Sequence, residues 1–121
     1  MERIELCEKP GKCVYVELDP KHLFLAAHCE GDVSRCGKYM PGARLSGSTV
    51  YVPARIVGEW AARALEKLSR GDGIAWIGVL ASISCTADHC VVDDGRNTVY
   101  TSRRKVVEWL QKICAKISAV L

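Results

Sequence analysis

Seven cysteines in 121 residues are the densest reactive chemistry in this sequence. Six fall into short-range pairs, Cys7 with Cys13, Cys29 with Cys36 and Cys85 with Cys90, while Cys114 stands apart. Such thiols can form disulfides, lie buried and free, or bind zinc, with His28 or His89 as further ligands in the last case. Spacing favours disulfides. Zinc sites usually carry two ligands about two to four residues apart, and none of these pairs is a CxxC. Cys7 and Cys13 instead flank Glu8-Lys9-Pro10-Gly11-Lys12, a turn-rich stretch between two β-type runs. A hairpin there sets the sulfurs opposite each other, with Cα atoms about 4.5–5.5 Å apart and within disulfide reach. Cys85 and Cys90 repeat the arrangement around Thr86-Ala87-Asp88-His89. No metal and no cofactor is expected.

Catalytic patterns are absent from the sequence: there is no HExxH, no GxxxxGK[ST], no GxGxxG and no supported Ser/His/Asp order. Asp88-His89-Cys90 suggests a thiol nucleophile, but neighbours along a strand point to opposite faces, so His89 would not meet Cys90 as its base. The chain is therefore expected not to be an enzyme. A small thiol or zinc enzyme centred on Cys29, Cys36, Cys85, His89 and Cys90 stands as the alternative.

Aromatic and basic residues form the second group. In the apolar run from Ile74 to Cys85, odd positions Ile77, Val79, Ala81, Ile83 and Cys85 suit a core, whereas Trp76 stands among Gly78, Leu80, Ser82 and Ser84. A large ring beside small neighbours can serve as a stacking platform for a flat partner such as a nucleobase; Trp76 packed beneath a helix is the competing reading. Arg55 follows the Tyr51 strand, Arg96 sits on a turn, and Arg103-Arg104-Lys105 follows Tyr100. Single-strand binding uses this combination, because phosphates attract cations and every base offers a π-face. Three cations at a helix N-terminus oppose the helix dipole at roughly 0.3–1 kcal/mol each, which hints at an anionic ligand.

These residues require a scaffold. Residues 3 to 7 and 13 to 18 predict an N-terminal hairpin around Pro10-Gly11. Pro20 to His28 suits a short helix capped by Asp19, with a strand as the alternative. Glu30 to Ser48, rich in glycine and containing Arg35, Lys38 and Arg44, predicts a long irregular connection. Thr49 to Val52 predicts a strand ended by Pro53. Val57, Trp60, Ala61, Ala64, Leu65 and Leu68 recur at helical spacing, and Gly71-Asp72-Gly73 stops that helix. Ile74 to Cys85 is expected as one long strand, followed by a meander through Cys90-Val91-Val92 and Asn97 to Thr101. Ser102 caps a last helix to Leu121, in which Val106, Leu110, Ile113, Ile117 and Val120 form a heptad-type stripe, a core face or a subunit interface. A second row, Val107, Cys114 and Leu121, widens it, and Cys114 could join two subunits.

Length bounds the rest: 121 residues suit one domain with one core. The predicted fold is α+β, an antiparallel sheet of four or more strands packed with an amphipathic helix and a long C-terminal helix. Residues 1–44 would be a disulfide-clasped hairpin and loop, and residues 45–121 the sheet-and-helix core. A net charge of +3 selects no partner. The longest apolar run is too short for a bilayer span of about 20 residues. The N-terminus lacks the basic start and apolar stretch of a secretory signal, so a cytoplasmic chain is expected. Cysteines at this density inside a cell then point to the disulfide-rich cytosol of hyperthermophilic archaea and bacteria.

Thr49-Val50-Tyr51-Val52-Pro53, the amphipathic helix, the Trp76 strand, the meander and the zipper-like last helix resemble, in element order, the ThermoDBP single-stranded DNA-binding proteins of thermophilic archaea and their relatives. The resemblance covers roughly residues 45 to 121. It implies a sheet-and-helix domain that binds single strands in an apolar cleft edged by basic residues and oligomerises partly through C-terminal helices. Trp76, Tyr51, Tyr100, Arg55, Arg103, Arg104 and Lys105 are the positions it carries over. The expected function is therefore sequence-nonspecific binding of single-stranded DNA or RNA by a homo-oligomer. Arg96 joins that site from the reading of the residues. A protein–protein adaptor using the C-terminal stripe is the non-enzymatic alternative.

Overall fold

Alternation sets the strands. In a computed structural model, residues 2–19, 23–26, 44–46 and 49–121 are described, with side chains described over 2–19 and 51–121. The N-terminal hairpin forms as expected, β1 (Glu2–Lys9) pairing β2 (Lys12–Leu18) through a turn in which Gly11 takes φ +81°. Ile4, Leu6, Val14 and Val16 are buried and the intervening side chains lie outward, the period of two of a half-buried sheet. Cys7 faces Cys13 and is bonded to it, with 4.1 Å between Cα atoms.

Three further strands complete this sheet: β3 (Leu23–Ala26), β4 (Arg44–Ser46) and β5 (Thr49–Pro53), in the antiparallel order β1-β2-β3-β5-β4. Two expectations change here. Leu23 to Ala26 is a strand, not a helix, because it has β2 on one side and β5 on the other to pair with, and ladder pairing outweighs local helix propensity. The connection expected to be irregular contains β4, paired with β5. The Cys29–Cys36 pair lies outside the described residues.

Helix α1 (Ala54–Ser69) starts after Pro53, buries Ala54, Val57, Ala61, Ala64 and Leu68, and ends where Gly71 turns at φ +90°. The stretch from Ile74 to Cys85 is not one strand. It is a hairpin, β6 (Ile74–Ile77) and β7 (Ala81–Cys85), with Ile77 opposite Ala81 and a three-residue turn between them. Gly78 makes that turn possible: its φ is +49°, and a Cβ there would lie 2.3 Å from Trp60 Cε3. The turn reverses the expected exposures inside it, so Val79 is out and Leu80 is in. β8 (His89–Asp93) and β9 (Thr98–Ser102) complete a second antiparallel sheet of order β6-β7-β8-β9. Cys85 faces Cys90 and is bonded to it.

Helix α2 (Arg103–Val120) begins at Ser102, whose hydroxyl accepts the N–H of Lys105 at 3.2 Å. It packs against α1, β1, β8 and β9, while α1 covers β6 and reaches β3 and β5. Gly58 brings the helices together, since a Cβ there would meet Ile117 Cγ2 at 3.2 Å. Trp109 Nε1 donates to the Ile4 carbonyl at 2.9 Å and ties α2 to β1 inside the core.

The stripe on α2 is correspondingly internal. Val106, Leu110 and Ile113 are fully buried and Ile117 nearly so, against the helix and strands of the same chain, and only Val120 keeps partial exposure. A side chain with no accessible surface has none to give a second subunit. The reading of this stripe as an oligomer interface is corrected to a core face. Cys114, the free thiol among the described residues, is half-buried, and desolvation raises its pKa.

Candidate functional site

The outer face of the second sheet is where aromatic side chains stand in solvent. Its inner rows, Ala75-Ile83-Val92-Val99 and Ile77-Ala81, lie in the core. The alternate residues form two outer rows, Ile74-Ser84-Val91-Tyr100 and Trp76-Ser82-Asp93-Thr98. Trp76 is 54% exposed and Tyr100 57%, with Ile74 and Val91 also open. Both helices of the described residues lie on the inner side, and the half-exposed Trp76 is not packed beneath either of them. His89, two positions along the neighbouring strand from Val91, the residue opposite Tyr100, stacks on the Tyr100 ring at 5.6 Å with 13° between planes. Lys67, from the last turn of α1, places its ammonium 5.1 Å from the Trp76 ring centroid.

One end of this face is hollow. Trp76, Gly78, Val79, Ser82, Asp93 and Gly95 surround about 300 Å³ between the β6–β7 and β8–β9 turns. Asp93 Oδ1 accepts the Gly95 N–H at 2.7 Å. The adjacent Asp94 is buried and engaged: Oδ1 accepts from the N–H groups of Arg96 and Asn97 at 2.9 and 2.8 Å, and Oδ2 from that of Tyr15 at 3.3 Å. At the β9 edge, Glu8 Oε1 accepts the Tyr100 N–H at 2.7 Å, and Lys12 lies 3.4 Å from the same carboxylate. The Tyr100 N–H and then the Lys12 charge hold the Glu8 carboxyl below its ordinary pKa.

The other expected site residues divide. Tyr51 lies half-buried on β5, in the other sheet, so it does not join Trp76 and Tyr100 on one face. Arg55 sits on α1, which covers the inner side, and pairs with Glu59 at 3.5 Å. Arg96 and Arg3 both lie over the Tyr15 ring, their Cζ atoms at 4.1 and 4.2 Å from its centroid. Lys105 is exposed beside Glu5, Leu6 and Glu108, next to β1 and away from the aromatic face. Arg104 is 83% exposed and pairs with Glu108 at 3.9 Å.

Arg103 is a correction. Its guanidinium donates to the carbonyls of Leu68 at 2.9 Å, Ala87 at 3.1 Å and Thr86 at 3.1 Å, with longer contacts to Asp72. It clamps the end of α1 to the β7–β8 turn, and with its N–H groups so occupied it offers little to a phosphate. The dipole argument for an anion at this helix start therefore fails at Arg103, because carbonyl oxygens already surround the charge.

Among the described residues, Glu5, Cys7 and Cys13 bring ligand-type atoms within 4.8 Å of one another, but the two sulfurs are bonded to each other and present no thiolate. Cys90 is likewise bonded to Cys85, so the nucleophile suggested by Asp88-His89-Cys90 has no thiol. No helix among the described residues is long and apolar enough to cross a membrane.

Sequence reasoning missed His89, Lys67 and Asp93 as members of the face. Alternation along His89-Cys90-Val91-Val92-Asp93 carries a signal for the first and third, since Cys90 and Val92 claim the core side. No protein-family model, curated protein or solved structure matches the chain.

Proposed function

We propose that the protein binds single-stranded nucleic acid without strong sequence preference, with the outer face of β6–β9 as its stacking platform. One observation carries this reading: Trp76 and Tyr100 stand half-exposed on a solvated sheet face, beside the small polar side chains of Ser82, Ser84 and Thr98, with no helix of the described residues over them. Large aromatic side chains on an uncovered face expose apolar area, and a nucleobase removes that area from water while leaving the flanking hydroxyls wet. His89 extends the Tyr100 station. Trp76 and Tyr100 stand on opposite edge strands, about three interstrand spacings of roughly 4.8 Å apart, so a strand crossing the sheet meets both stations within a few nucleotides.

Cations at the rim suit the phosphates: Lys67 at the β6 edge, Lys12 beside Glu8 at the β9 edge, and Arg104 just beyond Ser102. The ThermoDBP resemblance of residues 45–121 points to the same ligand class. We place the protein in a disulfide-tolerant cytosol of the hyperthermophilic kind, since two hairpin disulfides suit a compartment that does not reduce them.

Fluorescence titration with an oligo-dT strand and with duplex of equal length, at low and high salt, tests the reading. Salt-sensitive binding of the single strand alone is expected. Trp76→Ala is expected to weaken it by about 1–3 kcal/mol, some five- to 150-fold. Unchanged affinity in that variant would remove Trp76 from the site.

Ile74 and Val91 favour a second reading, in which the same face docks a protein partner, because aliphatic side chains add contact area without stacking. Binding of no nucleic acid at low salt would bring that adaptor reading forward.

A further inference from the structure

The hollow at the Trp76 end of the face contains a feature that generic stacking does not need. Asp93 is exposed and sits directly opposite Ser82, which in turn sits opposite Trp76. Its Oδ1 takes the Gly95 N–H, and no hydrogen bond is made to Oδ2 among the described residues. Asp94 cannot stand in for it, since both its oxygens are held by backbone N–H groups. A carboxylate here repels phosphates, so a strand crossing the sheet must present a base edge to it and turn its backbone toward the rim cations.

We propose that this hollow reads a guanine edge, a selectivity superimposed on the stacking site; the inference rests on the single-strand reading above. An ionised carboxylate only accepts hydrogen bonds, and guanine offers it two adjacent donors, N1–H and the N2 amino group. The Ser82 hydroxyl, paired across the strands with Asp93, can donate to guanine O6, which completes the three-point edge. Thymine and uracil present an oxygen on each side of their single N–H, so a carboxylate aligned with that N–H meets at least one acceptor with an acceptor. A volume of about 300 Å³ against Trp76 gives one base room to stack and turn its edge toward Asp93. Specificity of this kind comes from leaving the wrong base with unpaired acceptors, while stacking on Trp76 is common to all bases.

The test compares three labelled single strands of about twelve nucleotides: all thymidine, alternating thymidine and guanosine, and alternating thymidine and inosine, which lacks the N2 amino group. The guanosine strand is expected to bind at least about five-fold tighter than the thymidine strand, with inosine between them. Asp93→Asn keeps an acceptor for the Gly95 N–H, so the turn should survive, as circular dichroism would verify. That variant is expected to bind all three strands alike. Equal binding of the three by the native protein, or a guanosine preference that survives Asp93→Asn, would overturn the proposal while leaving the stacking site standing. Binding of none of them would overturn both.

Discussion

Replacing Arg103 by alanine separates a structural arginine from a phosphate ligand. The guanidinium makes three short hydrogen bonds, at 2.9, 3.1 and 3.1 Å, to carbonyls of α1 and the β7–β8 turn, and two longer ones at 3.4 Å to Asp72. Hydrogen bonds from a charged donor contribute about 1.5–3 kcal/mol each when buried; here water can reach some of the vacated carbonyls, so the three together are taken at about 3–5 kcal/mol. Removing a cation from a helix N-terminus returns about 0.3–1 kcal/mol. The net expected loss is about 2–4 kcal/mol, a fall of roughly 10 °C in midpoint for a domain of this size. Urea titration of the oxidised protein reads it as a lower midpoint at constant slope. Arg103→Lys, able to reach only part of the carbonyl set, should fall between. Strand affinity measured well below the transition is expected to change little. An unchanged midpoint with lost binding would refute the clamp and return Arg103 to the phosphate-binding set.

Gly78→Ala places a Cβ 2.3–2.4 Å from the Trp60 ring at a positive φ, and is expected to cost about 2–4 kcal/mol by chemical denaturation. Ile113→Ala in the α2 stripe is expected to destabilise by about 2–5 kcal/mol with no change in the mass of the assembly by light scattering, as a core position requires. Glu8, whose pKa is lowered chiefly by the Tyr100 N–H, contributes stability that is present above its ordinary value of 4.5 and is lost as pH falls below that value through the depressed one. Acid titration of stability should therefore be shallower in Glu8→Gln over that window, and identical profiles would show that the Glu8–Tyr100 contact is not maintained in solution.

Much of the scaffold was legible because its signals are local. The Pro10-Gly11 turn, the alternation on either side of it and the facing cysteines define the first hairpin within about fifteen residues. The helical spacing from Val57 to Leu68 and the Ser102 cap likewise need no distant partner. The misread elements depend on partners far along the chain. Leu23 to Ala26 extends because β2 and β5 flank it. The break at Gly78 follows from Trp60 lying against the turn, a contact between residues 18 positions apart that no periodicity reveals. The hairpin nevertheless preserved the odd–even reading of its arms: with three residues in the turn, Ile77 and Ala81 fall opposite each other and so share a face.

The amino-acid sequence by itself determined the α+β class, favoured the pairing of Cys7 with Cys13 and Cys85 with Cys90 over free thiols or zinc, and set Trp76 on the face opposite the core residues of its strand, since these follow from short-range spacing and the period of two. Tertiary structure decided what each exposed or charged residue is free to do. The helices chose the inner face of the second sheet and left Trp76 and Tyr100 in water, while closing over the α2 stripe that spacing alone left open to a partner. Adjacent arginines 103 and 104 look alike in the sequence, yet one is enclosed by four carbonyls and the other is 83% exposed. The physical reason is the same in each case: burial and hydrogen-bond saturation depend on which distant segments arrive beside a residue, and the residue's own neighbours in the chain do not specify that.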